Sequence, residues 1–168
     1  MDSTKLNDWV QGVGIFALVA SLIFVGIEVR QNSVATRSAT NAAVKDSFRE
    51  FNLVLASSPE LAKAVAANAE NPADAPPEAK FQMLAMWRAL FHTWSNAHRQ
   101  HLNGTLDPAL FEAVIQEVSM NAGTARGIET VDAAKRRGQH MRWAWESERF
   151  IFNPDFQEFI DGILSIER

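Results

Sequence analysis

The sequence contains no cysteine and no tyrosine. Without cysteine there can be no disulfide framework, no thiolate nucleophile, no thiol redox couple and no cysteine-held zinc or iron–sulfur centre. Without tyrosine no phenol can act as an acid or radical site, so the five tryptophans and eleven phenylalanines read as packing material. A basic excess is also missing. Sixteen Lys and Arg stand against twenty Asp and Glu, a net charge of -4, which argues against long-range attraction to nucleic acid. Catalytic signatures are lacking as well. There is no Gly-x-Ser-x-Gly elbow, no Gly-x-x-x-x-Gly-Lys loop, no Gly-x-Gly-x-x-Gly turn, no His-Glu-x-x-His and no Glu-x-x-His. The expectation is a protein that is not an enzyme and carries no cofactor.

What is present first is a long apolar run. From Val10 to Val29 only Gln11, Ser21 and Glu28 are strongly polar. About 20 helical residues rising ~1.5 Å each span roughly 30 Å, the thickness of a bilayer's hydrocarbon core. Trp9 stands at one end, where an indole favours the interface, and Glu28 and Arg30 stand at the other, within reach of headgroups. Two plainer readings compete. A cleavable signal peptide wants a basic start, whereas Asp2, Lys5 and Asp8 make this one acidic. A buried helix of a soluble domain rarely stays apolar on every face for so long. The run is therefore read as a transmembrane anchor over residues 1–30, followed by a helical domain over 31–168.

Charge sets the orientation. Lys5 is the one basic side chain before the span, whereas Arg30, Arg37, Lys45 and Arg49 follow it closely. The positive-inside bias then puts the N-terminus outside and the C-terminal domain in the cytoplasm. Gly14, Ala17, Ser21 and Glu28 share one helical face at three-, four- and seven-residue steps, which offers a helix-association seam.

Beyond Arg30 no breaker occurs until Pro59, so the anchor is expected to continue into a stalk helix to about Leu55. Val34, Val44, Phe48, Phe51 and Leu55, with Asn41 interposed, fit the spacing of a packed seam. Ser58-Pro59-Glu60 opens a short helix to about Ala67, and the proline-rich stretch to Pro77 is a loop. Further helices are expected over 77–101, stopping at Asn103-Gly104, and from Asp107-Pro108 to about Asn121. Residues 124–131 stay unassigned. Asp132 is expected to cap a helix to about Phe152, and Asn153-Pro154 to open the last one. The fold class is all-α: a transmembrane helix running into a stalk, then a compact helical bundle.

Three groups in the bundle could bind something. Trp87, Phe91 and Trp94 recur at steps of three and four and either fill the core or line a ligand cavity. His98 and His101 extend that seam as an i, i+3 pair able to hold a metal if carboxylates arrive from another helix. Otherwise both rings sit at a helix end and bond to backbone or solvent; His92 and His140 stand alone. Lys135, Arg136, Arg137 and Arg142 form a basic cluster near Trp143 and Trp145 that could touch phosphates of lipid or nucleic acid, lipid being the more natural beside a membrane, though Asp132, Glu146 and Glu148 compensate it.

Several short motifs carry a resemblance. They are Gly-Ile-Glu-Val-Arg-Gln-Asn at 26–32, Ser58-Pro59-Glu60-Leu61-Ala62, Asn103-Gly104-Thr105-Leu106-Asp107 and Asn153-Pro154-Asp155-Phe156. With them the chain resembles a family of uncharacterised bacterial membrane-anchored helical proteins. The resemblance implies a bacterial inner-membrane location and the same architecture, and brings no activity or site residue with it. The functional expectation is a membrane-anchored interaction or scaffold protein that binds a second copy of itself or another protein. A small-ligand or lipid-binding module is the alternative, and a histidine-dependent metalloenzyme stands behind both.

Overall fold

The computed structural model describes residues 3–61, 63, 71–124 and 131–165. Every regular element among them is helical. The elements are α1 (Ser3–Ser57), α2 (Pro77–Leu102), α3 (Pro108–Asn121), α4 (Val131–Glu148) and α5 (Pro154–Leu164), with 3-10 turns at Pro72–Asp74 and Arg149–Ile151. Residues 59–61 begin a further helical turn, whose expected end near Ala67 lies outside the described residues. The chain divides into two compact units, Met1–Ala39 and Thr40–Arg168.

In the first unit, α1 exposes every described side chain from Trp9 to Ala39. It is long and apolar enough to cross a membrane, with none of its most apolar stretch buried. Val34, placed by its spacing in the packed seam, is 59% exposed. The reason is that this unit supplies no second element for it to pack on.

In the second unit, burial on α1 starts at Thr40 and follows the expected stripe. Val44 is buried, and Phe48 and Phe51 rest against the core. The Asn41 side-chain oxygen accepts the Asp107 backbone N–H at 3.0 Å, tying α1 to the start of α3.

Four starts, at Ser58, Asn71, Asp107 and Asn153, follow one grammar, a short polar side chain and then proline, whereas α2 begins behind Pro76 without a side-chain cap. Proline at the first helical position gives up an N–H that no intrahelical carbonyl would have accepted. The preceding side chain accepts one of the remaining orphan N–H groups. Asp107 accepts from Ala109 at 2.8 Å, Asn153 from Phe156 at 3.0 Å, Asn71 from Ala73 at 3.1 Å and Ser58 from Leu61 at 3.3 Å. Two helix ends are also alike. Gly104 and Gly123 adopt φ of +69° and +72°, so that Thr105 and Thr124 donate back to the Gln100 and Ser119 carbonyls, both at 2.9 Å.

The start of α4 departs from expectation. Asp132 lies inside the helix, in its first turn, rather than at its cap, because α4 already includes Val131. The far end of α4 tightens into the Arg149–Ile151 turn instead of running on to Phe152. There the Gln157 side-chain amide donates to the Arg149 and Phe152 carbonyls at 3.0 and 2.8 Å, satisfying groups that a longer helix would have paired internally.

The core is built on α2, whose Trp87, Leu90, Phe91, Trp94 and Ala97 are buried. Facing them are Val114 and Val118 of α3, Met141 and Trp145 of α4, and Phe156 and Ile160 of α5. A satellite cluster of Ala75, Ala79 and Met83 packs under Trp143.

Candidate functional site

A cavity of about 470 Å³ opens within the second unit, between α1, α2 and α4. Phe51 and Leu55 contribute from the last turns of α1, and Met86, Trp87 and Leu90 from α2. The polar part of the lining comes from Asn121 at the end of α3 and from Arg136, Arg137 and His140 on α4. Of the three aromatics read as possible cavity lining, Trp87 lines this space, whereas Phe91 and Trp94 are fully buried in the core. The indole N–H of Trp87 and that of Trp94 are buried and meet no acceptor among the described residues.

The basic cluster divides. Arg136 and Lys135 are exposed. Arg137 is half-buried: its Nε donates to the Met120 carbonyl at 3.0 Å, and burial lowers its pKa from the ordinary value. Arg142 turns elsewhere, into a cleft of about 280 Å³ shared with Glu146, Arg149 and Asp161. Charges there are balanced, since Arg149 pairs with Asp161 at 2.5 Å and Trp145 donates to the same carboxylate at 2.7 Å. Of the four basic residues, the adjacent Arg136 and Arg137 therefore line the cavity.

His98 and His101 are placed against phenylalanines. The His101 ring stacks on Phe111 at 3.9 Å with 8° between planes, and the His98 ring stacks on Phe159 at 4.8 Å. Burial lowers the pKa of His98, with His101 and Arg99 adding to the effect and Asp155 opposing it. Among the described residues no group of three or more His, Asp or Glu side chains converges as a metal site would need. His92 is exposed beside Phe152, and His140 is buried.

On the first unit, Gly14, Ala17, Ser21 and Glu28 are all exposed on α1. A methyl group added at Gly14 would meet nothing within 4 Å. The face is open along its length.

Two features escaped the sequence. Arg88 grips Glu148 with two hydrogen bonds, Nε and Nη2 each at 2.7 Å from a carboxylate oxygen, across 60 residues of chain. The Glu148 side chain is 5% exposed and that of Arg88 is 52% exposed. Their losses are consequently unequal: Arg88→Met strands a buried carboxylate, whereas Glu148→Gln leaves a guanidinium that water can solvate. Urea unfolding of the two variants is expected to show the larger loss of stability for Arg88→Met.

Glu117 is the second. Burial pushes its pKa from 4.5 up to about 7. Between those values the folded protein binds more protons than the unfolded chain, so stability falls as the pH rises through that window. Glu117→Gln is therefore expected to be more stable than the wild type at about pH 8. That advantage should shrink toward the acid end of the window. Unfolding midpoints at both pH values check the sign. Neither feature had a local signal, since each depends on what the fold brings next to the side chain.

Compared with known proteins, the chain matches no protein-family model, no curated sequence and no solved structure.

Proposed function

We propose that the protein is a membrane-tethered interaction module: α1 crosses the bacterial inner membrane, and the helical unit presents a binding surface for a second copy or a partner protein on the cytoplasmic side. The observation that carries this reading is the exposure of Trp9, Phe16, Leu22 and their neighbours on all faces of α1, at 73%, 76% and 72% for those three. Water would penalise so much bare apolar surface, whereas a hydrocarbon core removes the penalty. Orientation rests on the basic residues after the span, Arg30, Arg37, Lys45 and Arg49.

Binding is supported by two large apolar side chains of the helical unit that lie outside the anchor, Phe81 and Phe150, which are 75% and 76% exposed. Within the bilayer the Gly14, Ala17 and Ser21 face admits close backbone approach.

Light scattering of the detergent-solubilised full chain, with bound detergent subtracted, tests the association. An oligomer is expected. If Gly14→Leu with Ala17→Leu reduces it to a monomer, the seam lies in α1. If it stays oligomeric, the helical unit carries the seam. A wild-type chain that is strictly monomeric and retains no partner contradicts the reading.

A further inference from the structure

We infer that the cavity between α1, α2 and α4 is a binding site for a single-chain amphiphile with an anionic head. Three observations meet there, and none depends on the anchor or on self-association. Size comes first: about 470 Å³ lies within the ~300–1,000 Å³ typical of small-molecule sites. Its floor is made of Phe51, Leu55, Met86 and Leu90, side chains that offer no hydrogen bond and suit an alkyl chain. Methionine in such a wall adapts to a flexible guest.

Charge is the second observation. In a chain where acids outnumber bases by twenty to sixteen, this cavity is lined by two arginines and, among the described residues, by no carboxylate. Arg137 is held by the Met120 carbonyl through Nε, which fixes the direction of its guanidinium. Arg136, one residue earlier, is exposed and keeps its fork available. Guanidinium groups side by side at the edge of an apolar space recognise a carboxylate or a phosphate through charge-assisted hydrogen bonds. The third observation is the wall itself: Trp87 is 3% exposed, and its buried N–H lacks an acceptor among the described residues. A buried donor of this kind is costly to leave unmade.

The head is thus a carboxylate or a phosphate ester, and the tail an unbranched hydrocarbon. A free anion would leave the apolar floor unused, and a neutral alcohol would leave the arginines unused.

Photolabelling of the full chain in phosphatidylcholine nanodiscs tests this. The probe is dodecanoate bearing a terminal diazirine, and the labelled peptides are mapped by mass spectrometry. Saturable labelling of peptides containing Leu55, Met86 and Leu90 is expected, displaced by excess dodecanoate or dodecyl phosphate and not by dodecanol. The stronger of the two anionic competitors names the head. Arg136→Gln, on an exposed side chain whose loss leaves the core intact, is expected to weaken displacement by about tenfold, the size of one charge-assisted hydrogen bond. Ala133 also lines the cavity, and Ala133→Phe, which fills the space, is expected to abolish the label while the circular dichroism stays helical. Labelling confined to the Trp9–Val29 stretch of α1 overturns the proposal. So does cavity labelling that dodecanol displaces equally well, or that Arg136→Gln leaves unchanged.

Discussion

Phe91→Ala is expected to destabilise the helical unit by about 3–5 kcal/mol, the usual cost of deleting a fully buried aromatic ring. Phe91 has no exposed surface, and its ring is the hub of the core. Ring centroids lie at 5.1 Å to Trp145, 5.7 Å to Trp94, 5.9 Å to Trp87 and 6.0 Å to Phe152, mostly edge-on. Those neighbours belong to α2, α4 and the segment leading into α5, so one truncation loosens three parts of the unit together. Rigid indoles on three sides leave little freedom to collapse into the gap, which holds the cost near the top of its range. Against a total stability of about 5–15 kcal/mol, such a loss is severe. Phe81→Ala on the same helix is the control. Its ring is 75% exposed, and the change is expected to stay within about 0.5 kcal/mol. Urea unfolding followed by tryptophan fluorescence separates the two.

A comparable effect is expected from a single methyl group at Gly138. There α4 crosses the end of α3 so closely that a Cβ on Gly138 would overlap the Ala122 carbonyl oxygen and lie 3.0 Å from its carbon. The contact is reciprocal. A Cβ on Gly123 would lie 2.5 Å from the Ala134 carbonyl oxygen and 3.6 Å from the Gly138 Cα. Both obstacles are backbone, so no side chain can rotate away and the helices must part. Gly138→Ala is expected to cost about 2–3 kcal/mol, at the upper end for overpacking. Gly123→Ala is expected to cost more, because its φ of +72° adds about 1–2 kcal/mol of left-handed strain. Two other glycines frame the comparison. Gly104→Ala carries the strain without the clash and should cost about 1–2 kcal/mol. Gly162→Ala meets open space inside α5 and should stabilise by about 0.5–1 kcal/mol. The ranking of the four in one unfolding series checks the close approach, and equal effects at Gly138 and Gly162 would contradict it.

How much of this could be read from the chain depends on the range of the interaction. Helix starts were legible because their chemistry is local. Asp107-Pro108 and Asn153-Pro154 carry both the cap and the first helical residue in two letters, and the structure uses them so. Asn103-Gly104 announced the end of α2 for the same reason. Asp132 misled because an acidic residue suits the first turn of a helix as well as its cap, and α4 places it in the turn. Spacing gave the stripe Val44, Phe48, Phe51 and Leu55 but overextended it to Val34, since periodicity shows which residues share a face and not where a partner ends. The cavity was only half legible. Trp87 and Arg136–Arg137 were each singled out, in separate groups, and only packing α4 beside α2 joins them. Gly138 did leave a signal. A glycine inside a helix costs about 1 kcal/mol relative to alanine, so its presence there points to close approach.

The proposed arrangement has α1 crossing a membrane with the helical unit on the cytoplasmic side. The absence of cysteine makes its most direct test clean, because Ser3→Cys and Ser165→Cys each introduce the sole thiol. Labelling with a membrane-impermeant maleimide, in bacterial spheroplasts and in inverted inner-membrane vesicles, reads which side each thiol faces. The thiol at position 3 is expected to react only in spheroplasts and the one at 165 only in inverted vesicles, and alkaline carbonate is expected to extract neither protein. Reaction of both thiols from the same side, or release of the chain by carbonate, would contradict it.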